Sequence, residues 1–439
     1  MMNKSFLKEN LAVGFMLFAL FLGAGNIIFP PELGQQSGDQ FVISIIGFLI
    51  TGVGLPLLGI ISVARNGGDL QLLTGRIHPL FGIIFTTIVY LSIGPFFAMP
   101  RTGAVSYEIG VLPYLTAAQA ESWVPLFITT LVFFAITFYF AYNPSTIVDK
   151  IGKILTPALL LVITLLAIKA FVTPMGDFGE ATGNYVNNGF AEGFIQGYLT
   201  LDVLASLVFG IVIVNGLRAR GVEDKAKQVK ITIFAGFVAA IGLAFVYISL
   251  GYIGATSVGT VGMLDNGGQI LGASAKVLYG SIGTAILSAT IILACLTTSI
   301  GLLVANAQFF ERNLPILSYR GYLIVFTLFS FGVSNVGLSN LLNMTIPVLL
   351  AIYPIAIVLM TVALFAGIFN HARIIYVLPL ITTFFVAIND GLKGFGIEIG
   401  WYNNILNKLP LQEQSMGWLV PAIVMVVIGI VITLATKKK

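Results

Sequence analysis

The chain has 439 residues, of which 57% are hydrophobic and only 9% are charged, whereas about 25% of the residues of an ordinary soluble domain are charged. This composition excludes a water-soluble protein and indicates one that crosses a membrane many times. The net charge of +4 is spread over short segments between apolar runs and so indicates no nucleic-acid partner, while one cysteine and two histidines exclude an internal disulfide and a cysteine-based zinc site.

Twelve apolar runs are long enough to cross a bilayer, since a spanning helix needs about 20 residues. They occupy residues 10–36, 41–64, 79–105, 122–142, 152–172, 194–217, 229–254, 280–308, 319–334, 339–367, 373–390 and 417–436, and we number them as spans one to twelve. The first run is predicted to be an uncleaved span. No segment between the runs is long enough for a soluble domain, so the sequence predicts an all-α polytopic membrane protein with twelve transmembrane helices.

Lysine and arginine concentrate on one side of these spans. If both termini are cytoplasmic, 17 of the 22 basic residues lie in inner segments. These are Lys4, Lys8, Arg65, Arg76, Lys150, Lys153, Arg218, Arg220, Lys225, Lys227, Lys230, Arg312, Arg320, Arg373, Lys437, Lys438 and Lys439. Only Lys276, Lys393 and Lys408 fall in outer segments. Because cytoplasmic loops are enriched in basic residues, we predict a multi-pass protein of the cytoplasmic membrane with both termini inside.

The first span is interrupted by Gly-Ala-Gly-Asn-Ile-Ile-Phe-Pro-Pro at residues 23–31. Glycine, asparagine and proline are poor helix formers, and lipid cannot bind the backbone groups that a break releases. A helix broken there exposes N–H groups on one half and carbonyls on the other, which together can hold an anionic group and a cation, as in many secondary transporters. The alternative is a kinked span in which glycine and proline are tolerated.

The sixth span carries a second unusual stretch at residues 197–210, with two glycines, two hydroxyl side chains and Asp202. Span six lies five spans after span one, and this odd offset reverses its direction, so two broken segments could face each other at the midplane. A carboxylate within a span is costly and invites a functional interpretation. Asp202 could bind a proton, or it could cap or stabilise the broken span.

Spans three and eight add further polar groups. In span eight, Ala294, Thr297 and Thr298 lie at i, i+3 and i+4, on one helix face. Their oxygens, with carbonyls from the break in span one, would suit a hard cation, although such hydroxyls often bond back to their own helix. In span three, Arg101 and Glu108 are two helical turns apart and could pair near the outer mouth.

Three motifs together carry a family resemblance. Residues 23–31, residues 94–104 (Gly-Pro-Phe-Phe-Ala-Met-Pro-Arg-Thr-Gly-Ala) and residues 197–210 resemble the bacterial branched-chain amino acid carriers of the BrnQ type, the LIVCS family. The resemblance covers essentially the whole chain. It implies import of leucine, isoleucine and valine with a cation, usually sodium. It also implies a LeuT-type fold with inverted repeats at residues 1–172 (helices 1–5) and 194–367 (helices 6–10), broken helices 1 and 6, and two extra helices at 373–436.

The resemblance also implies site residues. The substrate carboxylate would bind backbone amides at the break of span one, and other substrate contacts would come from an unwound segment at 206–210, with Phe209 against the aliphatic side chain. The predicted substrate residues are Ala24, Gly25, Asn26, Ser206, Phe209 and Gly210. The predicted sodium ligands are the carbonyls of Ala19, Leu22 and Ala294 and the hydroxyls of Thr297 and Thr298.

Two departures from the family pattern limit this transfer. Leu204 stands where related transporters have a hydroxyl for a second sodium, and no gating arginine precedes Pro30. One sodium is therefore better supported than two, and the outer gate is unassigned.

The sequence thus predicts a sodium-coupled importer that works by alternating access and needs no cofactor beyond the ion, no nucleic acid and no obligate protein partner. A proton-coupled importer of neutral amino acids using Asp202 is the first alternative. A channel is a remote one, because no filter or charge ring of symmetric subunits is visible in the sequence. An enzyme is disfavoured, since the sequence has no histidine or cysteine cluster and no closely spaced pair of in-membrane carboxylates.

Overall fold

The computed structural model describes residues 4–142, 146–219 and 221–437, and within these ranges the chain is helical, with no β-strand. The first half contains α1 (Lys4–Phe21), α2 (Ala24–Ser37), α3 (Phe41–Leu49), α4 (Leu55–Arg65), α5 (Leu70–Gly75), α6 (Pro79–Leu91), α7 (Ala98–Gly110), α8 (Ala117–Ala120), α9 (Trp123–Tyr142) and α10 (Thr146–Val172). The second half contains α11 (Tyr185–Gln196), α12 (Asp202–Ala219), α13 (Lys225–Val261), α14 (Gly267–Asn313), α15 (Tyr319–Ser334), α16 (Leu338–Phe365), α17 (Arg373–Gly394), α18 (Gly400–Leu406) and α19 (Leu419–Lys437).

The described helices bear out the predicted membrane character. By length and composition eight of the described helical stretches, among them Ala24–Arg65, which comprises α2 to α4, can cross a bilayer, or nine if the bent pair Tyr185–Thr200 and Asp202–Arg218 is one span. Two shorter apolar helices, Asn10–Phe21 and Pro157–Val172, fall within predicted spans one and five. The protein is therefore an integral membrane protein, and the count of twelve stays a prediction. So does the orientation, for which Arg220, Lys438 and Lys439 lie outside the described residues.

Glycines interrupt helical geometry within span three and at the start of span eight. Span three passes from α6 through a π-helical turn at Ser92–Phe96, where Gly94 leaves helical geometry, and resumes as α7. Pro100 lies in the first turn of α7, where a missing N–H costs nothing, so the helix continues beyond it. In α14, Gly280 has a φ of 63° and separates residues 267–279 from the remainder, which forms span eight.

The apolar interior divides into two clusters. The smaller one, which we call the scaffold core, draws its buried residues from α7, α9, α14 and α15, in spans three, four, eight and nine. The larger one draws most of its residues from α1 to α4, α11 to α13, α16 and α17, and it also includes residues of α7, α9 and α14, such as Ala104, Phe134 and Cys295. Spans three and eight, and spans four and nine, are each five apart, as expected if the two halves of a five-plus-five fold contribute equivalent helices.

Close backbone packing joins spans one and two to the second half of the chain. A Cβ atom on Gly34 of α2 would overlap the backbone of Gly251 in α13, and one on Gly193 of α11 would overlap the backbone of Ser44 in α3. Small residues of this kind let membrane helices approach closely. Span one thus packs on span seven, and span two packs on span six. Each pair joins the first span of one predicted repeat to the second span of the other, which agrees with inverted repeats. The boundaries of the two repeats stay a prediction.

Candidate functional site

The break in span one is two residues long. Helix α1 ends at Phe21, α2 begins at Ala24, and Gly23 between them is extended, with φ −113° and ψ −169°. The Gly23 N–H donates to Oδ1 of Asn26 at 2.9 Å, so the asparagine side chain caps the new helix. The expected interruption is confirmed but is shorter than the motif that predicted it, because Pro30 and Pro31 lie inside α2.

The two helix ends at this break carry opposite partial charges. Carbonyls in the last turn of α1 and amides in the first turn of α2 have no partner within their own helices. The carbonyl end is partly negative and the amide end partly positive. Ala24, Gly25 and Asn26 are the first three residues of α2, and Ala19 and Leu22 lie at the carbonyl end of α1. The geometry thus offers an anion site and a cation site side by side.

Span six breaks at Leu201. A 3₁₀ turn at Gly197–Thr200 leads into Leu201, which has the left-handed conformation (φ 66°, ψ 8°), and α12 begins at Asp202. A left-handed conformation is rare and costly for a branched side chain. The predicted unwound segment at 206–210 is wrong, since these residues lie within α12 and the Ser206 hydroxyl donates to the Val203 carbonyl at 2.6 Å.

Arg101 occupies the carbonyl end of this second break. Its side chain is only 4% exposed, Nη1 donates to the Leu199 carbonyl and Nη2 to the Thr200 carbonyl at 3.4 Å. The guanidinium also lies over the Phe29 ring of α2, 5.2 Å from its centre. The predicted pair with Glu108 is wrong, because Glu108 instead accepts from Nε2 of Gln269 at 3.3 Å. Helix periodicity places Arg101 and Glu108 on one face of span three. It could not show that span six supplies the carbonyls that Arg101 binds.

A buried network ties three spans together around Asp202. Its Oδ2 accepts from Nδ2 of Asn26 at 2.7 Å and from the Tyr247 hydroxyl at 2.6 Å, and Asn26 also contacts the Tyr247 hydroxyl. All three side chains are at most 2% exposed. The Asp202 N–H donates to Oγ1 of Thr200 at 3.3 Å, across the break. Asp202 therefore stabilises the broken span, one of the two roles left open by the sequence.

The three predicted substrate residues of α12, Ser206, Phe209 and Gly210, face different parts of the protein. Phe209 is half-buried and its ring meets the Phe21 ring edge-on, with 5.7 Å between centroids, beside the break in span one. Ser206 faces Gly59 of α4, and a Cβ atom on Gly210 would meet the Val63 side chain of the same helix. Of this group only Phe209 lies next to the break.

The predicted sodium ligands of span eight approach span one. The Thr298 methyl group lies 3.5 Å from the position that a Cβ atom on Gly23 would take. Thr297 donates to the Ala294 carbonyl at 2.9 Å, which is the bond back to its own helix that the sequence left open. A hydroxyl that donates in this way keeps its oxygen lone pairs for a cation. Both threonines are half-buried.

Sequence reasoning missed two residues of this site. Tyr247 lies in an apolar stretch of α13 and shows no signal beyond its hydroxyl, and Leu201 occupies a position where glycine or asparagine would have announced a left-handed turn. The roles of Arg101 and Asp202 needed the tertiary fold. Their signal in the sequence was only that charges inside spans are rare.

Comparison with known sequences gives full-length matches. The family described as "Branched-chain amino acid transport protein" matches residues 6–436. The chain is 48% identical to the branched-chain amino acid permease BraB of Bacillus subtilis over 428 residues, covering 97% of this chain and 96% of the relative. It is 44% identical over 421 residues to the branched-chain amino acid transport system 2 carrier protein of Pseudomonas aeruginosa, covering 96% and 95% of the two chains. It is 40% identical over 428 residues to the permease BrnQ of Escherichia coli K12, covering 97% and 95%.

Solved structures share the fold at low sequence identity. The nucleobase–cation symport-1 family transporter Mhp1, in a closed conformation with bromovinylhydantoin bound, superposes with a TM-score of 0.60 at 14% identity, covering 96% of this chain and 91% of that one. MhsT in complex with L-phenylalanine superposes with a TM-score of 0.57 at 15% identity, covering 95% and 98%. The predicted LeuT-type fold class is thereby confirmed.

Proposed function

The chain belongs to the branched-chain amino acid transport protein family, and from this premise we propose that it imports leucine, isoleucine and valine across the cytoplasmic membrane together with sodium. It is a branched-chain amino acid transporter; the ion and the direction are the proposal. The observation that carries it is the break in span one, where a carbonyl end and an amide end lie two residues apart.

The substrate is proposed to bind by its backbone groups at this break. Its carboxylate meets the amide end of α2 at Ala24, Gly25 and Asn26, where the helix dipole favours an anion. Its aliphatic side chain packs near Phe209, which lies against Phe21. Ser206 and Gly210, the other predicted substrate residues of α12, pack against α4 and are not part of this proposed contact. An apolar pocket with a few fixed polar groups is what a small apolar amino acid requires.

Sodium is proposed to bind at the carbonyl end of α1. Carbonyls of Ala19 and Leu22 come from span one, and the Ala294 carbonyl with the Thr297 and Thr298 hydroxyls comes from span eight. This set holds only oxygen atoms, which hard cations prefer. The proximity of Thr298 to Gly23 supports the pairing of the two spans. Substrate and ion would then share one break, which couples their binding.

Transport is proposed to occur by movement of spans one, two, six and seven against the scaffold core. The scaffold core draws only on spans three, four, eight and nine, although three, four and eight also contribute to the larger cluster, and close glycine packing joins span one to span seven and span two to span six. Rocking of the joined spans against the scaffold core would give alternating access to a site between them. Net transport by such a carrier follows the gradient of the coupled ion, so an inward sodium gradient would drive import.

Proton coupling through Asp202 is a second candidate. The observation that favours it is the burial of this carboxylate in the Asn26 and Tyr247 network, since protonation there would change the hydrogen bonds of three spans together. It predicts uptake that follows a proton gradient and ignores sodium.

The test is uptake of labelled isoleucine into proteoliposomes, driven by a sodium gradient or by a proton gradient. We expect uptake with sodium, and its loss in the double variant Thr297→Ala/Thr298→Ala. Thr290→Ala is the matched control, because Thr290 lies on the same helix and its hydroxyl bonds back to Ile286 at 2.7 Å. Uptake driven by protons alone, unaffected by the threonines, would favour Asp202. One-for-one counterflow of bound substrate would distinguish a carrier from a channel.

A further inference from the structure

We infer that Arg101 binds the carboxylate of the substrate. The inference rests on the proposed function and adds a residue to its site. Arg101 belongs to α7 in span three, yet its guanidinium lies between the broken segments of spans one and six. It is thus a full positive charge buried where a zwitterionic substrate is proposed to bind.

The guanidinium retains a free donor. Arginine has five N–H donors, and two of its nitrogens bind the carbonyls of Leu199 and Thr200. The third nitrogen, Nε, is buried and finds no hydrogen-bond partner among the described residues. Leaving a buried donor of a charged group unpaired is costly. An incoming carboxylate oxygen would satisfy it with a charge-assisted hydrogen bond.

The guanidinium lies against the amide end of α2. A Cβ atom on Gly25 would overlap the Arg101 guanidinium, so the glycine is what allows the two to approach. The start of a helix is itself partly positive, and a guanidinium beside it adds a second positive group. An anion bound beside both groups would meet two positive charges at once.

Asp202 does not bind the free N–H of Arg101. Its Oδ2 receives the hydrogen bonds of the Asn26 side chain and the Tyr247 hydroxyl, and no hydrogen bond joins it to Nε of Arg101. The aspartate therefore balances charge at the break in span six. It leaves Nε of Arg101 without a hydrogen-bond partner in the part of the chain that the structure describes, and the substrate carboxylate would be that partner.

Binding of L-isoleucine and L-isoleucinol to purified protein in detergent tests the inference. The two ligands differ only in the carboxylate, which isoleucinol replaces with a hydroxymethyl group. We expect Arg101→Gln to weaken isoleucine binding about 10- to 100-fold, the effect of one charge-assisted contact, and to leave isoleucinol binding within about twofold of wild type. Both ligands are titrated into the millimolar range, by calorimetry or by thermal protection.

A purely structural role for Arg101 gives a different result. If the guanidinium only holds the Leu199 and Thr200 carbonyls, Arg101→Gln lowers the melting temperature and weakens both ligands in parallel, which would overturn the inference. An unchanged preference for isoleucine over isoleucinol would do the same. Failure of the wild-type protein to bind isoleucine would instead overturn the proposed function.

Arg101→Lys keeps the test valid if the glutamine variant does not fold. Lysine preserves the charge but loses the planar fork, which is the geometry suited to a carboxylate. We expect the preference for isoleucine over isoleucinol to fall several-fold and to remain above one. A preference equal to that of wild type would show that the guanidinium does not contact the carboxylate.

Discussion

The two broken spans differ in which groups lie next to the backbone carbonyls that each break frees. In span one, two residues separate α1 from α2, and the carbonyl end of α1 meets the hydroxyl-bearing face of span eight near Thr298. In span six, one left-handed residue separates the halves, and the carbonyl end at Leu199 and Thr200 is bound by Arg101 from span three. Spans three and eight are five apart, as are spans one and six, so the two arrangements are counterparts under the predicted repeat.

The two breaks differ in the positive charge that balances their freed carbonyls. Freed carbonyls in a membrane need a positive partner, because lipid offers none. A side chain supplies that partner permanently at span six, whereas at span one the proposed sodium ion would take that place among neutral oxygens. A fixed charge cannot be exchanged across the membrane, but a bound sodium can. This comparison favours one coupled sodium, in agreement with Leu204 at the position of the second sodium ligand.

The largest effect on transport is expected at Gly25, where the break in span one contacts the Arg101 guanidinium that binds the break in span six. Gly25→Ala would force a methyl group into the guanidinium of Arg101, which its carbonyl bonds hold in place. Overpacking costs about 1–3 kcal/mol, so isoleucine uptake should fall by up to about 100-fold. Initial rates in proteoliposomes measure this loss.

Gly23→Ala is the matched control for that variant. Its added Cβ atom would find only ordinary contacts, with Thr298 Cγ2 at 3.5 Å the nearest, and its negative φ suits any residue. Uptake should stay within about threefold of wild type. Equal losses in the two variants would show that the backbone at the break, rather than the approach of Arg101, sets the requirement for glycine.

Asp202→Asn should have the next largest effect. The amide oxygen can still accept from Asn26 and Tyr247, but the negative charge beside Arg101 is lost. Charge-assisted hydrogen bonds are about twice as strong as neutral ones, so uptake should fall about tenfold and remain sodium-dependent. Asp177→Asn, at an exposed aspartate, should change nothing. A wild-type response to protons that disappears in Asp202→Asn would transfer coupling to this carboxylate.

Tyr247→Phe should destabilise the protein without removing transport. It deletes the hydroxyl that donates to Asp202 at 2.6 Å, a hydrogen bond to a charged group worth about 1.5–3 kcal/mol. Tyr185→Phe is the control, because the buried Tyr185 hydroxyl has no hydrogen-bond partner among the described residues. Thermal unfolding in detergent should show a lower midpoint for the first variant only. Equal shifts would mean that the Asp202 network adds nothing to stability.

The smallest effect is expected for the stability of two variants at Leu201, whose comparison separates backbone strain from side-chain packing. Leu201→Gly and Leu201→Ala both remove the buried side chain, but only glycine adopts a positive φ without strain. The glycine variant should be more stable by about 1–2 kcal/mol, the reverse of the usual order of these residues in a helix. An alanine variant of equal or greater stability would contradict the left-handed conformation at the break.

Much of the fold could be predicted from the sequence, because the membrane imposes strict rules on apolar length and on backbone satisfaction. The break in span one announced itself through Gly23, Gly25 and Asn26, all poor helix formers. The break in span six was predicted in the right stretch but at the wrong residues. The family resemblance placed the unwinding at residues 206–210, yet Gly210 lies within α12 against Val63, and the buried Leu201 is the residue with the left-handed conformation.

Side-chain partners across spans could not be predicted in the same way. Helix periodicity suggested Glu108 for Arg101, because i and i+7 share a face, but the actual partners are backbone carbonyls 98 and 99 residues away. Tyr247 carries no signal that distinguishes it from other tyrosines in spans. Pairings of this kind depend on how helices pack, which a single sequence does not encode locally.

The ratio of sodium to isoleucine tests the central claim most directly. Simultaneous uptake of labelled sodium and labelled isoleucine into proteoliposomes, at a fixed membrane potential, gives the number of ions moved per substrate. A mobile ion at span one and a fixed charge at span six predict one sodium per isoleucine. A ratio of two would show that a second ion binds despite Arg101, and uptake of isoleucine without sodium would contradict the site at span one.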